Sequence, residues 1–330
     1  MRIGVWSLAH LHAYGYIAAL SARRDVQFVG LADDDAERGE RHAIGRDIAF
    51  FAEPDALLER VDAVIITSAN ADHKAMALRA AAHGVSVLLE KPIATTVSDA
   101  DEIVAAFAKH NLTLAIAFPC PFSPAYGALK EAVRAGCLGR ILAIRATNRG
   151  IMPGGFFIQL QRSGGGAVID HTVHVADLLR RLTGAEVRRV YAQVGHGLYH
   201  QGWEDSGILT LDLTDGSFAT LDCSWSRPAS YPTWGDVTLR VICERGNASA
   251  DLFSQHLTRY PTERVPPRWE PWGSDLDAVM ITDFVAAVRD GRRPRSDGLD
   301  GLRALEVALA AYRSAETGRP VEIGASASAS

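Results

Sequence analysis

Short apolar segments alternate with helix-like segments through the first 118 residues, and this alternation constrains the fold more than any other feature of the chain. The apolar segments are rich in Val, Ile and Leu without polar alternation, as in strands buried on both faces of a parallel sheet. The predicted strands span residues 2–6, 26–32, 61–67, 85–89 and 112–118. The predicted helices span residues 12–22, 36–44, 73–83 and 98–109. Repeated units of this kind predict a doubly wound, Rossmann-type α/β domain over residues 1–120.

The pattern changes after residue 120, where strand-like segments follow one another with turns between them, chiefly over residues 187–251. Consecutive strands separated by turns indicate a large, mostly antiparallel sheet. A helix over residues 167–182 precedes these strands, and two helices near the end of the chain follow them. We therefore expect an α+β domain over residues 121–330, and the Ala–Ser alternation of residues 325–330 predicts a disordered tail.

Composition excludes several classes of protein. The 330 residues carry a net charge of -5, whereas a protein that coats nucleic acid needs an excess of Lys and Arg. No apolar stretch approaches the roughly 18 residues of a membrane-spanning helix, and the opening residues lack the features of a signal peptide. The four cysteines lie far apart with no C-x-x-C, which argues against a zinc ribbon or a disulfide framework. We expect a cytoplasmic protein that binds neither nucleic acid nor membranes.

The turn after the first predicted strand is the candidate phosphate-binding site. A Rossmann fingerprint reads G-x-G-x-x-G at this position, whereas residues 7–12 read S-L-A-H-L-H. Ser and Ala at the first two glycine positions still admit a pyrophosphate, and the N-terminus of the following helix favours an anion. His12 replaces the third glycine, which normally permits tight helix–strand packing. We predict that the cofactor contacts Ser7, Leu8, Ala9 and His10, although an ordinary strand–helix turn is the alternative.

Acidic residues at the end of the second predicted strand bear on the choice of cofactor. Asp33 lies where a carboxylate can accept hydrogen bonds from the adenosine ribose hydroxyls. Asp34 follows it, and two carboxylates here would repel the 2′-phosphate of NADP. We therefore predict NAD in preference to NADP. The alternative is that residues 33–35 form a solvated turn and a helix cap.

Several motifs follow one another along the chain. S-A-N-A-D-H occupies residues 68–73, V-L-L-E-K-P residues 87–92, and G-G-G-x₃-D-x₃-H-x₂-D residues 164–177. The acidic pair Glu204-Asp205 comes next. In this order the motifs resemble those of the Gfo/Idh/MocA family of oxidoreductases, which includes glucose-fructose oxidoreductase and inositol dehydrogenase. The resemblance covers nearly the whole chain, and the degenerate glycine fingerprint is its main departure.

The resemblance implies a nicotinamide cofactor held by the first domain and a sugar or cyclitol substrate held by the second. It adds further residues to the predicted cofactor site, namely Ser68, Asn70, His73, Glu90 and Lys91. Relatives commonly form dimers or tetramers through an open sheet face of the second domain, so we expect a homodimer or a homotetramer. The family also acts on dihydrodiols, biliverdin and nucleotide sugars, and the exact substrate stays open.

Three titratable residues of the predicted helix over residues 167–182 form a candidate catalytic face. Asp170, His174 and Asp177 lie at i, i+4 and i+7, so they share one side of the helix among apolar neighbours. An imidazole, with a pKa of about 6.5, suits a general base for a substrate hydroxyl. Lys91, at the end of a strand, would stabilise the developing alkoxide, and Asp170 would orient the substrate. The alternative is a core histidine at 174 and an Asp177 that pairs within the helix.

Other interpretations stay open at this stage. His171 with His174 and Asp170 could ligate a metal, but further ligands are not marked, so we predict no metal. Tryptophans of the second domain could stack on a sugar ring or belong to its core, namely Trp225, Trp234, Trp269 and Trp272. Transient oxidation followed by elimination would give a redox-neutral glycoside lyase or hydrolase. A non-catalytic NAD-binding sensor is the last alternative, and it would have no need for Lys91, Asp170 and His174.

Overall fold

The computed structural model describes residues 1–259, 268–271 and 273–324, with the backbone alone for residues 268–271. Trp272 and the predicted tail over residues 325–330 lie outside the described residues, as does the side chain of Trp269. Contacts divide the chain into two units. The N-terminal unit comprises Met1–Pro119, Gln159–Gly164 and Leu276–Leu305, and the other described residues form the C-terminal unit. The first break lies one residue from the expected one, but two later segments return to the N-terminal unit.

The N-terminal unit contains the predicted parallel sheet. Its strands are β1 (Arg2–Trp6), β2 (Gln27–Ala32), β3 (Phe50–Phe51), β4 (Ala63–Ile66), β5 (Ser86–Leu89) and β6 (Leu114–Ile116). The helices between them are α1 (His12–Ser21), α2 (Ala36–Ala43), α3 (Pro54–Leu58), α4 (His73–Ala82) and α5 (Val97–Lys109). The six strands run parallel in the order β3-β2-β1-β4-β5-β6, which confirms the doubly wound fold.

This strand order determines where a ligand can bind. The chain reverses its direction of progress between β1 and β4, and open α/β sheets bind ligands at the carboxyl ends of the strands beside such a point. Four predicted site segments directly follow strand ends, namely those at Ser7, Asp33, Ser68 and Glu90. The fold therefore gathers the predicted cofactor residues at one edge of the sheet.

The remaining elements complete the chain. The further strands are β7 (Ile141–Gly150), β8 (Val187–Gly195), β9 (Ser206–Leu213), β10 (Phe218–Ser224), β11 (Gly235–Cys243), β12 (Gly246–Asp251), β13 (His256–Arg259), β14 (Arg268–Pro271) and β15 (Val321–Glu322). The further helices are α6 (Pro124–Arg134), α7 (Leu160–Ser163), α8 (Ala167–Thr183), α9 (Leu276–Asp290) and α10 (Gly298–Thr317). Among these elements, α7 and α9 belong to the N-terminal unit.

The C-terminal unit is built on a sheet of seven strands in the order β12-β11-β7-β10-β9-β8-β15. Its pairs are antiparallel except for β7 with β10, which confirms the mostly antiparallel sheet. Helix α8 packs against β7 and β10, so one face of the sheet covers the helix that carries the candidate catalytic residues.

Two predicted strands are three or four residues longer in the sequence pattern than in the structure. β4 covers Ala63–Ile66 rather than residues 61–67, and β6 covers Leu114–Ile116 rather than residues 112–118. β6 ends in a tight turn in which Phe118 N–H donates to the carbonyl of Ile116 at 2.7 Å. The apolar run continues because the residues after the strand are also buried. Within the described part of the chain, no helix has the length and apolar character needed to cross a membrane.

Candidate functional site

The turn after β1 keeps the backbone of a glycine fingerprint without its first glycine. Ser7 has φ +76°, in the left-handed region that glycine adopts at least cost. Its hydroxyl accepts the Ala9 N–H at 3.2 Å and donates to the Asp34 carboxylate. Thr67 Oγ1 donates to the Ser7 carbonyl at 2.5 Å. Such local hydrogen bonds are what allows a short polar residue to occupy this region.

The acidic residues that follow β2 have two different roles. Asp33 Oδ1 accepts the Leu8 N–H at 3.2 Å, which brings this carboxylate to the turn. Asp35 caps α2 by accepting the Arg38 N–H at 3.0 Å. The helix cap, which was the alternative interpretation of residues 33–35, is therefore present at Asp35. Arg38 also donates to Asp33, through Nε at 2.8 Å and through a second nitrogen at 2.5 Å. We missed Arg38 in the sequence, although its place one turn into the helix after the acidic run was a signal.

The residues of this turn fit a dinucleotide. The left-handed Ser7 and the small Ala9 let a phosphate approach the backbone closely, and α1 begins at His12 with its N-terminus at the turn. Asp33 supplies the carboxylate for a ribose. The turn therefore has the components of a Rossmann cofactor site despite its degenerate sequence.

The predicted residues after β4 make protein contacts. Asn70 Nδ2 donates to the Ser163 carbonyl at 2.8 Å, and the Ser68 hydroxyl donates to the Ala69 carbonyl at 3.2 Å. His73 Nδ1 donates to the Pro92 carbonyl at 2.8 Å, and burial lowers the pKa of His73, which keeps the ring neutral. His73 therefore holds the segment that follows Lys91.

In the segment after β5, a buried lysine directly follows a buried glutamate. Only 4% of Lys91 is exposed, and its peptide bond to Pro92 is cis. Glu90 Oε2 accepts the Lys91 N–H at 3.1 Å. The other carboxylate oxygen accepts the Tyr16 hydroxyl at 2.7 Å and lies 2.9 Å from His12 Nδ1. The sequence analysis predicted neither the contact of Tyr16 with Glu90 nor that of His12 with Glu90, although His12 and Tyr16 lie at i and i+4 of α1.

Side chains of metal-ligating types also meet here. Among the described residues, His10, His12 and Glu90 are the one group of three whose donor atoms all come within 4.8 Å of one another. In this structure Glu90 bonds to His12 and Tyr16, and His10 Nδ1 accepts the backbone N–H of His12. We assign no metal to them. The described residues add no third such ligand to the pair His171 and His174.

The three glycines before α8 allow close packing at the start of this helix. A Cβ on Gly165 would lie 2.0 Å from the Tyr312 hydroxyl, and one on Gly166 would lie 2.2 Å from the Glu204 carbonyl. The Glu204 carboxylate accepts the N–H groups of Gly166 at 2.7 Å and Val168 at 3.1 Å. An acidic side chain at the helix N-terminus stabilises it, so Glu204 fixes the first turn of α8.

Helix α8 presents Asp170 and His174 one turn apart in a buried setting, with exposed fractions of 8% and 6%. Asp170 Oδ2 accepts the Trp225 indole N–H at 3.0 Å and lies 3.3 Å from His171 Nε2. Asp177 is fully buried, and both of its carboxylate oxygens accept Arg181 Nε at 2.8–2.9 Å. The pairing of Asp177 within the helix, raised as an alternative, is thus present.

The tryptophans of the C-terminal unit differ in exposure. Trp225 is 1% exposed, so it belongs to the core and holds Asp170 rather than stacking on a ligand. Trp234 is 46% exposed, and its ring lies 6.0 Å from that of His171. Of the tryptophans whose side chains are described, Trp234 is the most exposed.

Comparisons with known proteins agree with this arrangement. Residues 3–118 match the model of an oxidoreductase family with an NAD-binding Rossmann fold, and residues 126–249 match the GFO/IDH/MocA C-terminal domain. The chain is 28% identical to D-apiose dehydrogenase of Paraburkholderia graminis, over 97% of this chain and 88% of the relative. It is 27% identical to myo-inositol 2-dehydrogenase of Thermotoga maritima, over 98% of both chains.

A solved structure shows the same fold over the full length. The crystal structure of GenD2 from gentamicin A biosynthesis, in complex with NAD, superposes with a TM-score of 0.89 at 25% identity, over 98% of this chain and 97% of that one. The two family models match residues of both units of the chain described above. The chain belongs to the GFO/IDH/MocA family of oxidoreductases, with an NAD-binding Rossmann fold at its N-terminus.

Proposed function

We propose that the protein is an NAD-dependent dehydrogenase that oxidises a carbinol carbon of a sugar or cyclitol. The names of its relatives, which include D-apiose and myo-inositol dehydrogenases, support this substrate class. The observation that carries the proposal is Lys91, a buried lysine directly after β5 whose backbone N–H is fixed by Glu90. A cation at the carboxyl end of a parallel strand is well suited to bind an oxygen that becomes negatively charged.

The proposed roles follow from the chemistry of each side chain. When bound, NAD⁺ supplies the hydride acceptor, C4 of its nicotinamide ring. His174 accepts the substrate hydroxyl proton at an imidazole nitrogen while the carbinol C–H bond breaks. Lys91 donates a hydrogen bond to the same oxygen and stabilises its charge until the carbonyl has formed. Asp170, held by Trp225, accepts a hydrogen bond from another substrate hydroxyl and orients the ring.

We propose further that NAD is used in preference to NADP. Asp33 and Asp34 lie together where the adenosine ribose is expected, and Arg38 bonds both of them. Arg162 also lies 3.9 Å from Asp34 and 3.8 Å from Asp72, so this ion-paired group holds three carboxylates and two guanidinium groups. Its net negative charge repels a 2′-phosphate. A KM for NADP equal to or below the KM for NAD would contradict this preference.

The experiment is a spectrophotometric screen of inositols, aldoses and sugar derivatives with NAD and with NADP. We expect reduced cofactor to form with NAD, and Lys91→Ala to lower kcat about 10²–10⁴-fold. Lys130→Ala, at an exposed lysine of α6, is the matched control and should retain full activity. Tightly held NAD with product formed but no net absorbance change would favour the redox-neutral lyase or hydrolase. NAD binding without any product would favour the sensor.

Two expectations from the sequence stay predictions. One is a cytoplasmic location, and the other is a homodimer or homotetramer. Light scattering of the purified protein tests the second directly.

A further inference from the structure

Helix α1 and the end of β5 are joined by side chains at a fully buried carboxylate. Glu90 Oε1 accepts the Tyr16 hydroxyl at 2.7 Å and lies 2.9 Å from His12 Nδ1, while Oε2 accepts the Lys91 N–H at 3.1 Å. Glu90 is 0% exposed and His12 is partly exposed. One carboxylate therefore links the helix that follows the phosphate-binding turn to the backbone of Lys91.

A buried carboxyl group stays ionised only if nearby charges and hydrogen bonds replace its lost hydration. Burial alone would raise the pKa of Glu90, but the facing histidines His10 and His12 outweigh it and hold this pKa well below its usual range. Of the two, His12 is the direct partner. His10 Nδ1 lies 3.7 Å from Glu90, beyond hydrogen-bond distance, and it accepts the His12 backbone N–H at 3.1 Å.

The contact of His12 with Glu90 occurs at a position where the sequence departs from the Rossmann fingerprint. His12 stands where the Rossmann fingerprint has its third glycine, a residue without a side chain. Here the side chain at that position reaches Glu90, and Tyr16, one helical turn later on the same face, reaches the same oxygen. The departure from the fingerprint thus supplies a side-chain tie that a glycine cannot form.

We propose that His12 is a positioning residue for hydride transfer: together with Tyr16 it holds the Glu90 carboxylate that fixes Lys91, and so ties the phosphate-binding turn to the oxygen-binding lysine. This inference rests on the proposed dehydrogenase function. His12 itself contacts neither the substrate nor the reacting atoms in this role, and it acts through Glu90.

The charge of His12 determines the expected pH dependence. Burial lowers the pKa of His12, and the charge of Lys91 lowers it further. The charge of Glu90, its hydrogen bond to His12 and the charge of Asp277 act in the opposite direction and outweigh both, so the pKa of His12 is raised. Tyr16 and His10 also face the ring, and the centroid of the His10 ring lies 4.4 Å from that of His12. His12 therefore keeps its proton to a higher pH than an ordinary imidazole, and it loses its charge as the pH rises through the raised pKa. Positioning of Lys91 should weaken above that pH, which predicts an alkaline decline in kcat.

Kinetics of variants test the positioning role. We expect His12→Ala to lower kcat about tenfold, the effect of losing one hydrogen bond to a charged group, with the KM for substrate changed less than threefold. His12→Asn keeps a donor near the Nδ1 position without a titratable charge, so it should recover kcat only to the level that the wild type keeps above the pKa of His12, and it should lose the alkaline decline. Lys130→Ala is the control for the preparation.

Titration of His12 by NMR tests the ion pair without turnover. In protein with labelled histidine, the resonance absent from His12→Asn belongs to His12, and we expect it to titrate above the ordinary value of about 6.5. Glu90→Gln should bring this pKa below that of the wild type, and Tyr16→Phe keeps the carboxylate if Glu90→Gln fails to fold. A wild-type His12 pKa at or below about 6.5 would overturn the inference, as would wild-type kcat in His12→Ala.

Two further outcomes distinguish a failure of the role proposed for His12 from a failure of the proposed dehydrogenase function. Zn²⁺ retained stoichiometrically by the wild type and lost from His12→Ala would overturn the inference, because the three side chains would then be metal ligands. A wild type that binds NAD but turns over no substrate would refute the proposed dehydrogenase and the catalytic part of the inference, while the NMR titration would still decide whether the ion pair exists.

Discussion

Replacing Trp225 with Phe is the most specific single perturbation of the candidate substrate site. The change removes the indole N–H that Asp170 Oδ2 accepts at 3.0 Å and keeps an aromatic ring in the core. Asp170 is 8% exposed, so little water is available to replace the lost donor. His171 Nε2 lies 3.3 Å from the same oxygen.

The size of the effect follows from these contacts. A hydrogen bond to a charged group contributes about 1.5–3 kcal/mol, and each 1.4 kcal/mol or so corresponds to a factor of ten in rate. His171 compensates in part, so we expect kcat/KM for the substrate to fall about tenfold, toward the lower end of the range of roughly 10–100-fold. Because Asp170 is proposed to orient the substrate, the Kd for NAD should stay unchanged.

The assay is steady-state kinetics with the substrate found in the screen, alongside NAD binding by calorimetry. Trp203→Phe is the matched control, since this ring lies 5.4 Å from that of Trp225 in the same aromatic cluster. Wild-type kcat/KM in Trp225→Phe would refute the role of the indole N–H. An equal loss in both variants would also refute it, because core packing alone would then explain the effect.

Three other predictions concern stability and the cofactor. Asp177→Asn breaks the buried pair with Arg181, so we expect urea unfolding to show a loss of about 3–5 kcal/mol, with kcat of the folded protein unchanged. Asp33→Ala removes the proposed ribose acceptor and should raise the Kd for NAD about tenfold by calorimetry. Burial raises the pKa of Asp236, but hydrogen bonds from Arg227 and its neighbours outweigh it and the pKa is lowered. This stabilisation exists above the unfolded pKa of about 3.9 and is lost as the pH falls below it, so the wild type should lose more unfolding free energy in acid than Asp236→Asn.

Local patterns were sufficient to predict most of the fold. The strand Arg2–Trp6 has the bounds that its apolar residues indicate, because the polar Ser7 follows it. β3 and α3, at Phe50–Phe51 and Pro54–Leu58, were missed because they are too short for a periodicity to show. Their place at the edge of the sheet depends on pairing with β2.

The side-chain contacts of the site were less accessible from the sequence. Motifs indicated Asp33, Lys91 and Asp170, since each lies at a recognisable position relative to a strand or a helix. Their partners are distant in the chain: Tyr16 lies 74 residues from Glu90, and Trp225 lies 55 residues from Asp170. Such pairs are fixed by the tertiary fold, and no local pattern in one sequence contains them.

Transfer of an isotope tests the central claim most directly. The protein is incubated with NAD⁺ and a substrate that carries deuterium on the carbinol carbon, and the products are analysed by mass spectrometry. The account predicts one deuterium in each reduced cofactor formed, in amounts equal to the ketone product, and loss of this transfer in His174→Ala. Sugar product that forms while the deuterium stays in the sugar, with no reduced cofactor released, would contradict it.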